Sequence, residues 1–253
     1  MLLKAKIFVC SLILLVSAGN AQVNYLTLAG QRIDKKAGSF QVIADEHKIS
    51  VLKNGQPVNS INLTGVKTFL SSPSGEKALV VNYSFRRAKE NYTITYFLID
   101  GENGLLRTDS VTGYYDMPNP LFTINENGII GYCDPGSLIL TIDNAGLKTD
   151  IRLFNDAPYE MERGVFISSD DELIYIAGNL KPVAFELKED NLFLAVVDIR
   201  GKTINKVMLP YLSVESLNLT DGKINLIGYN FTPSFSLTKI ILDNTLKILK
   251  TGE

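Results

Sequence analysis

Short apolar runs divided by clusters of Gly, Asn, Asp and Ser follow one another along most of this chain. Residues 78–111 set the pattern. Residues 78–85 and 92–100 are rich in β-branched and aromatic side chains, and Gly101-Glu102-Asn103-Gly104 turns the chain into a third run, 105–111, so three consecutive strands are predicted. The last two strands and their turn recur at 48–63, 137–153, 192–209 and 236–250. The likeness is one of pattern, with Lys53, Asp100, Asp143, Asp198 and Asp243 just before or inside the turn, spaced by roughly 43 to 55 residues.

Upstream of each hairpin lies another turn flanked by strands, at 74–77, 125–128, 168–172 and 220–223. In the first unit the expected strands are 25–33 and 40–43, joined by 34–39. Each unit then has four strands, A to D. Many strands are apolar at successive positions, as in 129–130, 138–140, 192–197 and 240–242, so both faces of each small sheet should be covered. Stacked blades do this without helices, and no helix-length amphipathic segment is present to support a parallel α/β fold. The reading is an all-β chain, a β-propeller of five four-stranded blades with one blade more or fewer allowed, ahead of a two-sheet sandwich or barrel. At that level the chain resembles secreted propellers of the TolB-like or WD40-like kind. It carries no Trp, hence no Trp-Asp blade ending, and no run of Asp-box motifs, so the resemblance implies a fold and no particular activity.

Lys4 and Lys6 precede an apolar run at 7–16, and small residues follow at 17–21, the order of an export signal. The expectation is cleavage after Ala21, a propeller domain over 22–253, and a secreted or periplasmic location. The apolar run falls short of the ~20 residues of a membrane span, and no later segment approaches it, so no span is expected after cleavage. Cys10 lacks the small residues that would precede a lipid-anchored cysteine. Once it is removed Cys133 is the only thiol, so the core and not a disulfide must hold the chain. The formal net charge of −2 shows no basic face, and no nucleic-acid partner is expected.

A four-stranded meander puts A–B and C–D turns at one end of the ring and B–C and D–A connections at the other. Most of the first set are short and built of Gly, Asn, Asp and Ser. The second set, 86–91, 112–120, 155–163, 178–191 and 230–235, is longer and holds Tyr, Phe, Met, Arg and Pro. Long aromatic loops gathered on one end of a rigid scaffold suit a binding surface. The candidate binding residues are Arg86, Arg87, Tyr114, Tyr115, Met117, Tyr159, Met161, Arg163, Tyr211 and Phe235. Padding of the seams between blades is the competing explanation for the same Tyr and Met residues.

Asp116, Glu160, Glu162 and Glu215 fall near the starts of A strands, which would line a central channel. Paired carboxylates there would suit a propeller hydrolase or lyase of glycosidase type, with Asp116, Glu160 and Glu215 as the acids. The absence of Trp removes the usual sugar-stacking residue. His47 is the only histidine, placed in a short polar turn, and Cys133 has no nearby base, so nucleophilic triads and His-rich zinc sites lack partners. The acidic turns at 100–104 and 125–128 lack the spacing of a calcium loop, and no metal or cofactor is expected. Asn-x-Ser/Thr sites stand at Asn62, Asn82, Asn91, Asn218 and Asn230. The functional expectation is a non-catalytic propeller that binds a protein, peptide or glycan, with the channel hydrolase as the alternative.

Overall fold

The computed structural model describes residues 25–26, 33–37, 40–84, 91–100, 103–114, 121–134, 138–153, 159–170, 172–182, 192–209, 213–230 and 236–252. The chain begins with β1 (Tyr25–Leu26) and then builds a first sheet from β2 (Ile33–Ala37), β3 (Phe40–Ala44), β4 (Lys48–Lys53) and β5 (Gln56–Asn62). The second is β6 (Val66–Ser71), β7 (Lys77–Ser84), β8 (Asn91–Asp100) and β9 (Gly104–Tyr114). The third is β10 (Leu121–Ile124), β11 (Ile130–Asp134), β12 (Ile139–Asn144) and β13 (Leu147–Arg152). The fourth is β14 (Tyr159–Ser169), β15 (Leu173–Pro182), β16 (Leu192–Asp198) and β17 (Thr203–Leu209). The fifth is β18 (Ser213–Thr220), β19 (Lys223–Asn230), β20 (Ser236–Leu242) and β21 (Ile248–Gly252). Each sheet pairs its strands in chain order as an antiparallel meander, and among the described residues there is no helix.

The doubly apolar strands explain how these sheets stack. In β7, Ala78 and Val80 point toward the first sheet and meet Phe40, Val42 and Val51, while Leu79 and Val81 point the other way onto Phe122, Ile124 and Ile130 of the third. The same alternation carries Cys133, Leu140 and Ile142 onto Ile176 and Phe193, and then Leu194 and Val196 onto Leu226 and Ile240. Each Val, Leu, Ile or Phe among them contributes about 1.5–3 kcal/mol by leaving water. Four apolar clusters thus fill the four successive seams between five blades. Strands β6, β10, β14 and β18 lie side by side at the inner edge, so the architecture is the five-bladed propeller that the period predicts. Among the described residues no apolar cluster joins the fifth blade to the first.

Two features differ from the sequence pattern. The first blade takes its inner strand from 33–37, not 25–33, and Tyr25–Leu26 instead pairs with β6 of the second blade. The polar run Ile33-Asp34-Lys35-Lys36-Ala37 has the composition of a turn, but its backbone ladder to Phe40–Ala44 makes it a strand. Secondly, β9, β14 and β15 extend further than their apolar runs, because ladder pairing continues wherever a partner strand is alongside.

Candidate functional site

The two ends of the ring are built differently, and the short-turn end shows how. Asn54-Gly55, Ala145-Gly146 and Asp221-Gly222 place both central residues at positive φ, the two-residue turn whose twist matches a hairpin. The recurrent aspartates close their own turns. Asp143 Oδ1 accepts from Gly146 N at 2.9 Å, Asp198 Oδ1 from Arg200 N and Lys202 N at 2.9 Å each, and Asp243 Oδ1 from Thr245 N at 2.9 Å and Lys247 N at 3.0 Å. Asp170 serves an A–B turn in the same way, from Glu172 N and Leu173 N. The N–H of Lys202 holds the Asp198 carboxyl below the usual range, and the Thr245 hydroxyl does so for Asp243. In each of them one carboxylate oxygen is committed to the backbone of its own turn. The repeated aspartate is a device of the turn.

At the opposite end, side chains clamp the roots of the connections to the neighbouring blade. Lys67, at the start of β6, is fully buried and its Nζ donates to Glu46 O at 3.0 Å, Leu63 O at 2.9 Å and Gly65 O at 3.0 Å. Burial lowers its pKa, against the pull of Asp45 and Glu46. One amine therefore ties the B–C turn of the first blade to the connection into the second. Gly65 is required beside it: a Cβ there would sit 2.5 Å from Tyr83 O and 2.9 Å from the Asn82 side chain, at a φ of +148°. Further round, Lys206 Nζ reaches Leu153 O at 3.2 Å, and Val214 N donates to the buried Asn179 Oδ1 at 2.9 Å. The rim under the long connections is thus pinned at three seams.

The structure places the predicted binding residues as follows. Tyr114 ends β9 opposite Asn91, and Tyr159, Met161 and Arg163 pair along β14 with Pro182, Leu180 and Asn179, so these four stand on strand ends where the sequence pattern puts loops. Glu160 pairs with Lys181, and Glu215 occupies a bulge between Val214 and Ser216. Arg86, Arg87, Tyr115, Asp116, Met117, Tyr211 and Phe235 lie outside the described residues. His47 is exposed in its turn, where its N–H and that of Lys48 donate to Asp45 Oδ1 at 2.8 and 2.9 Å. Cys133 is buried in the seam between the third and fourth blades, and burial pushes its thiol far up, so it is no nucleophile. Asn82 is fully buried, so its Asn-Tyr-Ser site is closed to modification in the folded chain. Among the described residues no group of His, Cys, Asp and Glu could hold a metal ion, and no helix is long and apolar enough to cross a membrane.

A second polar cluster escaped the sequence reading. Asp143 is fully buried in the seam between the second and third blades, where Tyr96 donates to its Oδ2 at 2.7 Å. Arg107 Nη1 stands 2.8 Å from Oδ1, as an ion pair and not an aligned hydrogen bond, with Nε and Nη2 buried without acceptors. Lys148 pairs with Asp109 at 2.7 Å nearby. Burial first, and the Asp143 hydrogen bond second, drive the Tyr96 hydroxyl well above its ordinary value. Tyr96, Phe122 and Tyr132 stack around it at centroid distances of 5.2–6.1 Å. Only the register of two blades brings residues 96, 107 and 143 together, so no sequence spacing could have announced them.

No family model matches the chain, and no curated protein matches it in sequence. Solved structures that it resembles in shape include the β-propeller domain of the trilobed protease from Pyrococcus furiosus, at 13% identity and a TM-score of 0.44, covering 89% of this chain and 85% of that one. Apo AztD from Citrobacter koseri gives 11% identity and a TM-score of 0.46, covering 90% and 71%. A eukaryotic initiation factor gives 10% and 0.43, and the chain spans 65% of its length. These likenesses concern overall shape alone.

Proposed function

We propose that this chain is an exported, non-catalytic propeller that binds a protein, peptide or glycan through the end that carries its long connections. The observation that supports this most is the contrast between the ends. At the short-turn end Asp143, Asp170, Asp198 and Asp243 each close a turn with one carboxylate oxygen, whereas the opposite rim is pinned by Lys67, Asn179 and Lys206 at the roots of the longer, aromatic-bearing connections. A rigid base under aromatic loops limits the ordering cost of binding. Export follows from the basic, apolar and small-residue order of positions 4–21.

The test is capture of a partner from a cell-envelope or medium extract. Replacing Tyr115, Tyr159 and Tyr211 together by Ala should abolish capture while the melting temperature holds, since aromatic anchors carry ~2 kcal/mol or more each. Changing Asn144 to Ala and Asp221 to Asn at the opposite end should leave it intact. Capture that survives in the stably folded triple variant, or that fails only as the fold fails, would refute the assignment of this face. Turnover of a glycan panel that is lost on Asp116, Glu160 or Glu215 substitution at unchanged stability would refute the non-catalytic reading.

A further inference from the structure

Among the described residues the second blade is the one sheet with five strands. Its extra member, β1, pairs antiparallel with β6 in the register Tyr25 to Phe69 and Leu26 to Thr68, on the side of β6 that faces away from β7. Strand β6 is the inner strand of its blade, packed beside β10, so the added strand lies on the channel side of the ring. Strands β10, β14 and β18 hold the equivalent inner position and, among the described residues, each is paired on one side only.

The route of the chain makes this placement unexpected. Strand β1 precedes the first blade in sequence, and its continuation at Ile33 enters β2 of that blade, yet β1 pairs with the blade after it. The six intervening residues, 27–32, span up to about 20 Å when extended, enough for such a step. Nothing in the meander requires it, because the first blade already has four strands of its own. What β6 offers is the inner edge of its sheet, on a strand held by Phe69 and Leu70 in two different apolar seams and by the Lys67 clamp at its root. A rigid open edge is the template on which an extended peptide adds as a strand.

We propose that the inner edge of β6 is a strand-accepting site for an extended peptide, and that the chain's own N-terminal segment is its resident occupant. The recognition is by backbone hydrogen bonds, so the ligand class is an unmodified polypeptide in β conformation. Among the described residues the resident strand pairs at two positions of β6, and a longer peptide would add backbone hydrogen bonds along the rest of that strand. The site is separate from the long-connection face of the proposed function, and its tests change none of the three tyrosines replaced there.

Hydrogen exchange on the full chain reads the resident strand directly. The β6 amides that point away from β7 should exchange at least ten times more slowly than the corresponding amides of β10, β14 and β18, and Leu26→Pro, which removes a backbone donor, should abolish the difference. Equal exchange in the unaltered chain would overturn the proposal, and protection that grows with protein concentration would overturn the assignment to the chain's own segment. For the accepting edge, the probe is a fluorescent peptide of residues 22–30. It should bind Leu26→Pro at least tenfold more tightly than the unaltered chain, with Cys133 still unreactive as proof of folding. Equal binding to both would show that the edge accepts no strand in trans.

Discussion

Among the described residues the two seams of the second blade each hold a fully buried charged side chain, Lys67 in one and Asp143 in the other, and they neutralise it in opposite ways. Toward the first blade, the Lys67 ammonium is surrounded by three backbone carbonyls, at the end of the ring where the connections are long. Toward the third blade, the Asp143 carboxylate meets a hydroxyl, a backbone N–H and a guanidinium. The cation is held by partial charges that exist wherever the chain turns, and the anion by a full countercharge that must come from a second blade. Removing Lys67 leaves carbonyls that water can reach at a loop. Removing Asp143 leaves Arg107 buried and unpaired between sheets.

That difference sets an order of effects. Asp143→Ala should cost about 3–5 kcal/mol in urea unfolding, the scale of breaking a buried ion pair from one side. The half-exposed neighbour pair should matter little, with Lys148→Ala costing under about 1 kcal/mol. If the two variants melt alike, Asp143 is no lock. Lys67→Met should cost about 2 kcal/mol, as three carbonyls lose their donor while the stem keeps its packing.

Lys67 and the turn carboxylates respond to pH in opposite windows. Because burial lowers the folded pKa of Lys67 below 10.5, the unfolded chain holds that proton more firmly, and stability should rise as pH passes from the folded value up to 10.5. In Lys67→Met this rise should be missing from denaturation curves taken across alkaline pH. The turn carboxylates Asp45, Asp198 and Asp243 are depressed below 3.8, so their stabilisation is complete above that pH and fades as acid carries them through their folded values. Asp198→Ala should therefore cost about 1 kcal/mol at neutral pH and nothing once the carboxyl is protonated. A loss that persists at low pH would assign the effect to packing.

The smallest change is a gain. Ala145 holds a φ of +53° in the turn that Asp143 closes, a conformation glycine adopts without cost. Ala145→Gly should raise stability by about 0.5–1 kcal/mol in an otherwise unaltered chain and by less in Asp143→Ala, where the turn has lost its closing bond. Equal gains in both backgrounds would uncouple the turn from the seam.

The blade count was legible because each unit repeats a turn chemistry, and the seams were legible because strands such as 192–197 are apolar on both faces. The first blade's inner strand was not. The polar run 33–37 becomes a strand only by pairing with 40–44, and a backbone ladder has no side-chain signature. The candidate binding residues were chosen by composition and connection length, and the structure moves Tyr114, Tyr159, Met161 and Arg163 from loops onto strand ends. Cys133 was legible as buried from its strand-end setting.

By itself the sequence determined the all-β character, the five units and which end carries the long connections, since local turn preference and two-sided hydrophobicity are properties of neighbouring residues. Only the tertiary structure decided which aspartate closes a seam as well as a turn, which lysine gives up water for three carbonyls, and which blade receives the N-terminal strand. Asp100, Asp143, Asp198 and Asp243 look alike in the chain. What distinguishes Asp143 is an arginine and a tyrosine delivered by the blade before it, and electrostatic partners at close range are chosen by packing in space and not by spacing in sequence.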